Sequence, residues 1–186
     1  MKTFTRLTRR EYPLAVRLVV TLAAGMVFAL LIPYLLFGYA PRLDALWSFQ
    51  RISLGTVGYI VGGLIVLSGF LFALWPISDQ LFAARGTPIP VVATKVLLVR
   101  GPFRLCRNPM GFGAIMAYLG VAILTGSISA LLCVLFFAGL FVTYVKLFEE
   151  HELEARFGEA YTAYKASTPF LIPDFTRLKR PEKHDN

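Results

Sequence analysis

The run MGFGAIMAYLGVAILTGSISALLCVLFFAGLFVTYV at residues 110–145 decides the fold of this chain, because it holds no charged residue over about 36 positions. One helical crossing of a membrane takes about 20 residues, so the run is too long for one crossing and fits two. The sequence TGSIS at 125–129 is the expected turn between them. A helical hairpin of this kind returns the chain to the membrane face from which it came.

Polar clusters flank both ends of this run. Upstream lies RGPFRLCRNP at residues 100–109. Downstream lies EEHELEARFG at 149–158, followed by Tyr161, Tyr164 and FLIP at 170–173. Because the hairpin brings its two ends to one membrane face, residues about 45 positions apart in the sequence are expected to meet there. The sequence therefore predicts a site formed by the two clusters together.

Composition places the chain among membrane proteins. Its 186 residues fit one domain, and 56% hydrophobic residues with a mean hydropathy of +0.64 are too apolar for a soluble globule. The net charge of +8 lies beside the apolar runs, which argues against a nucleic-acid partner.

Cys106 and Cys133 are predicted to be free thiols. His151 has no Cys or second His nearby, so no metal site is predicted.

Four apolar runs, at about 14–37, 54–75, 110–125 and 128–148, are predicted as membrane spans. The fold class is therefore all-α: a polytopic membrane protein with about four transmembrane helices in one domain, residues 1–186. Residues after the fourth span are predicted to form a C-terminal cytoplasmic helix.

Orientation follows from the distribution of Lys and Arg. Five lie in residues 1–17, five in 76–109 and seven in 146–186, whereas 38–53 holds two and 125–129 none. Since Lys and Arg are enriched on the cytoplasmic side, both termini are predicted to be cytoplasmic. In a prokaryote the chain would lie in the inner membrane.

Several residues within the spans carry expectations of their own. Arg17 is expected to extend to the membrane interface, and Pro33 to kink or end the first helix. Gly58 and Gly62 have the GxxxG spacing that allows close approach of another helix. Helix packing is the favoured interpretation of these glycines, and a groove for a ligand or acyl chain is the alternative.

The loop at 76–109 is too long for a simple linker. Residues 77–84 could form interfacial helical turns, and the sequence GTPIP at 86–90 then breaks any helix. Residues 91–99 are apolar but too short to span, which favours a re-entrant or interfacial segment.

The two polar clusters hold groups that could bind a small polar cofactor. Glu149 and Glu150 could accept hydrogen bonds from an ammonium or hydroxyl group, or could form a solvated helix end. Phe157, Tyr161 and Tyr164 share one helical face if Gly158 does not break it, and a packing stripe is favoured over a stacking site. Arg104 and Arg107 could hold a carboxylate or phosphate, and positive-inside charge explains them equally well. Glu152 and Arg156 are expected to form a surface pair.

The order of these motifs, over about residues 86–173, resembles the isoprenylcysteine carboxyl methyltransferase family and its relatives, the phospholipid N-methyltransferases. Those are integral membrane enzymes that use S-adenosylmethionine. The resemblance implies a cofactor site formed by segments 86–109 and 149–173. The cofactor-binding residues that it implies are Gly101, Pro102, Phe103, Asn108, Pro109, Glu149, Glu150, Tyr161 and Tyr164.

The resemblance also implies catalytic roles for Arg107, Asn108 and Glu150. Arg107, Asn108 and Pro109 occupy the positions of the family's Arg-His-Pro triplet. Asn108 departs from it, because an amide can donate and accept hydrogen bonds but cannot titrate near neutral pH as a histidine does.

The implied function is methyl transfer from S-adenosylmethionine to a lipophilic small molecule or lipid-modified acceptor within the membrane lipids. A carboxylate acceptor is favoured because it is already a nucleophile at pH 7, whereas an amine must first lose a proton. Arg107 is the candidate to hold such a carboxylate. Methylation of a phospholipid or another lipid amine is the first alternative. A non-enzymatic scaffold or transporter subunit, or a nicotinamide-dependent membrane reductase, remains a further one.

Overall fold

A computed structural model of the chain describes residues 13–82 and 96–179. Within these residues the regular structure is entirely helical, which confirms the all-α fold. The five helices are α1 (Leu14–Leu46), α2 (Gly55–Phe82), α3 (Pro109–Thr125), α4 (Ile128–Phe157) and α5 (Glu159–Ser167). Two short 3-10 turns, Gly101–Arg104 and Phe175–Lys179, accompany them.

Three helices are long and apolar enough to cross a membrane: α1 with 33 residues, α2 with 28 and α4 with 30. An integral membrane protein is therefore confirmed. Helix α3 has 17 residues, which at 1.5 Å per residue gives about 26 Å, slightly less than the ~30 Å hydrocarbon core. Four crossings with both termini cytoplasmic remain a prediction.

Helix α1 continues through Pro33 and ends at Leu46, which is nine residues beyond the predicted end of the first span at residue 37. A π-helical segment, Val27–Leu31, precedes the proline and carries the backbone bond from Ile32 N to Val27 O. The next bond of that pattern would need an N–H at Pro33, which has none. The carbonyl of Phe28 instead accepts a hydrogen bond from the Tyr118 hydroxyl of α3 at 2.7 Å. The wider turn thus accommodates the proline and joins α1 to α3.

The side chain of Arg17, which was expected to extend to the membrane interface, is buried within the protein, with 9% of its surface exposed. Its Nη1 donates to the carbonyl oxygen of Leu81 at 2.7 Å, in the last turn of α2. The final carbonyls of a helix lack intrahelical partners and carry partial negative charge, so they attract a cation.

Helix α2 extends to Phe82, so the interfacial turns expected from residue 77 are its continuation. The expected re-entrant segment at 91–99 lies outside the described residues up to position 95. The part that is described, residues 96–99, is irregular.

Helices α2 and α3 pack in antiparallel orientation through glycines. Gly62 of α2 lies against Gly120, and Gly69 lies against Gly113. A Cβ added to Gly69 would lie 2.5 Å from the backbone nitrogen of Ala117, closer than real contacts allow. Gly62 therefore serves helix packing. Helix α3 occupies the space in which a groove for a ligand or acyl chain would have to lie. The contacting pair in α2 is Gly62 and Gly69 rather than the predicted Gly58 and Gly62.

The predicted hairpin is confirmed, with its turn between Thr125 and Ile128. Gly126 ends α3 in the left-handed conformation (φ +60°), which glycine adopts without strain. The carbonyl of Gly126 accepts from Ile52 N at 2.9 Å, and Asp44 Oδ1 accepts from Ser129 N at 2.8 Å. These two contacts hold the turn beside the connection between α1 and α2. The polar clusters lie at the opposite end of the hairpin.

Candidate functional site

The upstream cluster, residues 100–109, is bound along its length by a segment that we call the C-terminal strap, residues 167–177. Arg107 N donates to Pro169 O at 2.9 Å, and Asn108 Nδ2 donates to Phe170 O at 3.2 Å. In return, the N–H of Asp174 donates to the carbonyl of Leu105 at 3.0 Å. The strap therefore fixes Arg107 and Asn108, the two residues that immediately precede the third helix.

The side chain of Arg177 forms hydrogen bonds both within the strap and to the upstream cluster. Its Nε pairs with Asp174 at 3.1 Å, and its Nη1 donates to the Arg104 carbonyl and the Thr168 hydroxyl at 3.4 Å each. Its Nη2 donates to the carbonyl of Ser167. Arg104 reciprocates by donating to the carbonyl of Arg177. The expectation for Arg104, a ligand contact or a topological charge, does not include this structural role.

A cavity of about 100 Å³ lies between the end of α2, the upstream cluster, α4 and α5. Its polar lining comes from Gln80, Arg107, Asn108 and Glu149. Residues on both sides of the hairpin thus meet at one site, as the sequence predicts.

Four aromatic residues also line the cavity: Phe103, Phe157, Tyr161 and Tyr164. Gly158 (φ +54°) does break the helix, yet Phe157, Tyr161 and Tyr164 still converge, because α5 folds back at the break. The two tyrosine rings meet edge to face at 6.1 Å between centroids, and Tyr164 donates to Phe103 O at 2.6 Å. Burial raises the pKa of both tyrosine hydroxyls, and Arg107 opposes the rise at Tyr161. Both therefore remain neutral phenols at pH 7.

Arg107 is held by several partners at the cavity wall. Its Nε donates to Thr168 O at 3.1 Å, its Nη1 pairs with Glu150 Oε1, and its guanidinium lies 5.5 Å from the centre of the Phe170 ring. Glu150 is buried and also pairs with Lys165 Nζ at 2.8 Å. The pairing with Glu150, and then with Glu154, raises the pKa of Lys165.

The two adjacent glutamates therefore have different surroundings. Glu149 lines the cavity, whereas Glu150 lies behind the wall and neutralises Arg107. The guanidinium of Arg107 at the cavity wall is therefore fixed in position, and the carboxylate of Glu150 largely neutralises its charge.

The remaining predicted residues support the site from outside the cavity lining. A Cβ on Gly101 would lie 2.6 Å from Asp79 Oδ2, so this glycine packs against α2. Pro102 is buried, and Pro109 begins α3. Cys106, between them, is fully buried, and burial raises the pKa of its thiol to about 11. It is therefore protonated at neutral pH and unsuited to act as a nucleophile.

Sequence reasoning missed Gln80, Lys165 and Arg177. Gln80 lines the cavity, and its Oε1 is buried without a hydrogen-bond partner in the part of the chain that the structure describes. In the sequence it lies in a stretch interpreted as interfacial turns, and no motif marks it. Lys165 and Arg177 resemble the other basic residues that follow the last span.

The family model described as phospholipid methyltransferase matches residues 57–160, which is 104 of the 186 residues. The match begins in α2, contains the hairpin and both glutamates, and ends in α5 before the strap. No curated protein and no solved structure matches the chain.

Proposed function

The chain belongs to the phospholipid methyltransferase family of membrane methyltransferases, and on that premise we propose that it transfers a methyl group from S-adenosylmethionine to the carboxylate of a lipophilic acceptor. The observation that carries the proposal is the cavity in which Arg107 and Asn108 meet Glu149 and the aromatic residues of α5. We place this site at the cytoplasmic face.

The cavity fits the chemistry of a cationic methyl donor. Glu149 supplies a carboxylate, and Gln80 supplies a buried oxygen that lacks a partner. Arg107 adds little net positive charge because Glu150 pairs with it. Aromatic rings such as those of Tyr161 and Phe157 attract a cation over their faces. The cavity of about 100 Å³ holds part of such a donor, and the rest of the molecule would extend into the open space that adjoins it.

When bound, S-adenosylmethionine supplies a methyl group with its own leaving group, so the protein must align the acceptor and exclude water. Phe103, Phe157 and the two tyrosines supply the apolar walls for this. Arg107 would orient the acceptor carboxylate, and Glu150 and Thr168 would hold Arg107 in place. Asn108 would shape the floor beside it through its bond to Phe170.

The proposed class of methyl acceptor depends on which residues of the cavity lining could act as a general base. Both tyrosines stay protonated, so among the lining residues within 13–82 and 96–179 only Glu149 could take a proton from an ammonium group. A carboxylate acceptor needs no such base. This favours O-methylation.

The test is transfer of tritium from methyl-labelled S-adenosylmethionine into the organic phase, using membranes that contain the protein. Long-chain carboxylic acids and long-chain amines are offered separately. Methyl esters release labelled methanol in alkali, whereas N-methyl groups keep their label. We expect alkali-labile label with the acids. Alkali-stable label with the amines would overturn the acceptor assignment, and no transfer together with no binding of S-adenosylhomocysteine would overturn the methyl donor.

A further inference from the structure

Gln80 lies near the end of α2 and contributes a side chain to the cavity wall. Its Oε1 is buried and has no hydrogen-bond partner among residues 13–82 and 96–179. A buried carbonyl oxygen that has lost its bonds to water is costly to leave unpaired, and such atoms are rare in folded proteins. Because Gln80 also lines the cavity, a ligand with a hydrogen-bond donor would supply the partner that this oxygen lacks.

The backbone that carries Gln80 is fixed independently of its side chain. Arg17, itself nine-tenths buried, donates to the carbonyl of the next residue, Leu81, at 2.7 Å. That bond joins α1 to the last turn of α2. The backbone at Gln80 is therefore held beside the cavity by a contact that does not involve the Gln80 side chain.

The surroundings of Gln80 specify the chemistry of the ligand group. Glu149 lines the same cavity, and the cation among the described lining residues, Arg107, is already paired with Glu150. The cavity therefore presents acceptor oxygens. A group with N–H or O–H donors suits it, above all one on a cationic molecule.

We propose that Gln80 binds the methyl donor, its Oε1 accepting a hydrogen bond from either the ammonium group or a ribose hydroxyl of S-adenosylmethionine. The proposal rests on the proposed function and adds a residue from α2 to a site otherwise formed by the two polar clusters. It also gives the contact between Arg17 and Leu81 a role in placing a binding residue.

The test is calorimetric titration of the detergent-solubilised protein with S-adenosylhomocysteine, which needs no acceptor and no turnover. Gln80→Leu keeps the size of the side chain and removes its oxygen, and Gln80→Glu keeps acceptor oxygens only. Gln50→Leu is the control, because Gln50 is exposed in the connection at the other end of the molecule. We expect Gln80→Leu to raise Kd about tenfold or more, and Gln80→Glu and Gln50→Leu to leave it unchanged or lower.

A second titration with 5′-methylthioadenosine, which has the ribose but lacks the amino-acid part, assigns the donating group. Weakening of both ligands by Gln80→Leu identifies a ribose hydroxyl, and weakening of S-adenosylhomocysteine alone identifies the ammonium group. Unchanged affinity in Gln80→Leu would overturn the proposal, and so would a loss in Gln80→Glu as large as in Gln80→Leu, because Gln80 would then be a donor. If the unsubstituted protein did not bind S-adenosylhomocysteine, the proposed function itself would fail, which is a different result from either.

Discussion

Glu149 and Glu150 are neighbours in the chain but have different partners, and the geometry of the helix explains this. Successive residues of a helix point about 100° apart, so both cannot face one cavity. The π-helical segment Val145–Glu149 ends at this pair, and such wide turns occur often at functional sites. We infer that Glu149 serves the ligand, whereas Glu150 positions Arg107.

Substitution of the glutamates separates the two roles. Glu149→Gln should weaken binding of S-adenosylhomocysteine by about 1.5–3 kcal/mol, the value of a lost charged hydrogen bond, with little change in Tm. Glu150→Gln should lower the free energy of unfolding by about 3 kcal/mol, because it leaves the buried Arg107 without its counter-charge. Calorimetry and thermal unfolding in detergent measure the two effects.

Glu152→Gln is the matched control, since Glu152 pairs with Arg156 at 3.5 Å on the exposed face of α4. An exposed pair contributes about 0–1 kcal/mol, so neither binding nor Tm should change appreciably. Equal effects of Glu149→Gln and Glu150→Gln on binding would contradict the division of roles.

Arg107 uses the shape of its guanidinium as well as its charge, because separate nitrogens contact Thr168 and Glu150. Arg107→Lys should therefore insert normally but lose most methyl transfer, since lysine keeps the charge and loses the planar fork. Arg100→Lys is the control, because Arg100 is exposed and lies in the same segment. Arg104 would be a poor control, as it donates to the carbonyl of Arg177. Full activity in the Arg107→Lys protein would show that only its charge matters.

At the scale of elements, the contact between α2 and α3 depends on the absence of side chains at four glycines. Gly69→Ala would place a Cβ 2.5 Å from Ala117 N and 2.7 Å from Gly113 O, both of them backbone atoms that cannot move aside alone. We expect a loss of several degrees in Tm and of methyl transfer, because α3 begins directly after Arg107 and Asn108, the residues for which we propose a role in the reaction.

Gly63→Ala is the control for that substitution, since a Cβ there meets nothing within 4 Å. Alanine is favoured over glycine within a helix by about 1 kcal/mol, so this variant should be as stable or more stable. A Gly69→Ala protein with unchanged Tm would show that the two helices separate at low cost.

The strap is the other element on which the site depends, and Arg177 is its anchor. Arg177→Ala should remove the hydrogen bonds of Arg177 to Arg104 and Thr168, which loosens the strap and with it Arg107 and Asn108. We expect kcat to fall about tenfold or more, as misplacement by 1 Å can cost, while insertion is normal. Lys179→Ala removes an exposed charge from the same 3-10 turn and should have no effect. Equal activity of the two variants would show that the strap does not position the site.

Particular residues show how far the sequence alone could lead. The hairpin was predictable because backbone groups in a membrane must pair within helices, so hydropathy and a Gly-Ser turn suffice. Residues 170–173 were expected near the site, but the hydrogen bonds of the strap were not predictable, since they use the carbonyls of Thr168, Pro169 and Phe170, and any residue offers a carbonyl. Gln80 was not either, because its distinguishing feature, an unpaired oxygen, exists only in the folded chain.

At the scale of the whole molecule, the hydrogen bond between Ile52 and Gly126 bears on the orientation of the hairpin in the membrane. It holds the turn of the hairpin beside the α1–α2 connection, which predicts that α3 passes from one membrane face to the other despite its 17 residues. In that arrangement the site and both termini would lie at the opposite face. This arrangement agrees with the excess of Lys and Arg in the segments at that end.

Cysteine labelling with a membrane-impermeant maleimide tests this arrangement. Cys133 is replaced by alanine, and Cys106 can stay, because it is fully buried and its raised thiol pKa of about 11 keeps it unreactive at neutral pH. Gln50→Cys and Ala160→Cys place single thiols at exposed positions in the α1–α2 connection and in α5. With four crossings, Gln50→Cys labels in intact cells, and Ala160→Cys labels only after the membrane is opened. If α3 did not cross, α4 would carry α5 to the side of Gln50, and both thiols would label in intact cells.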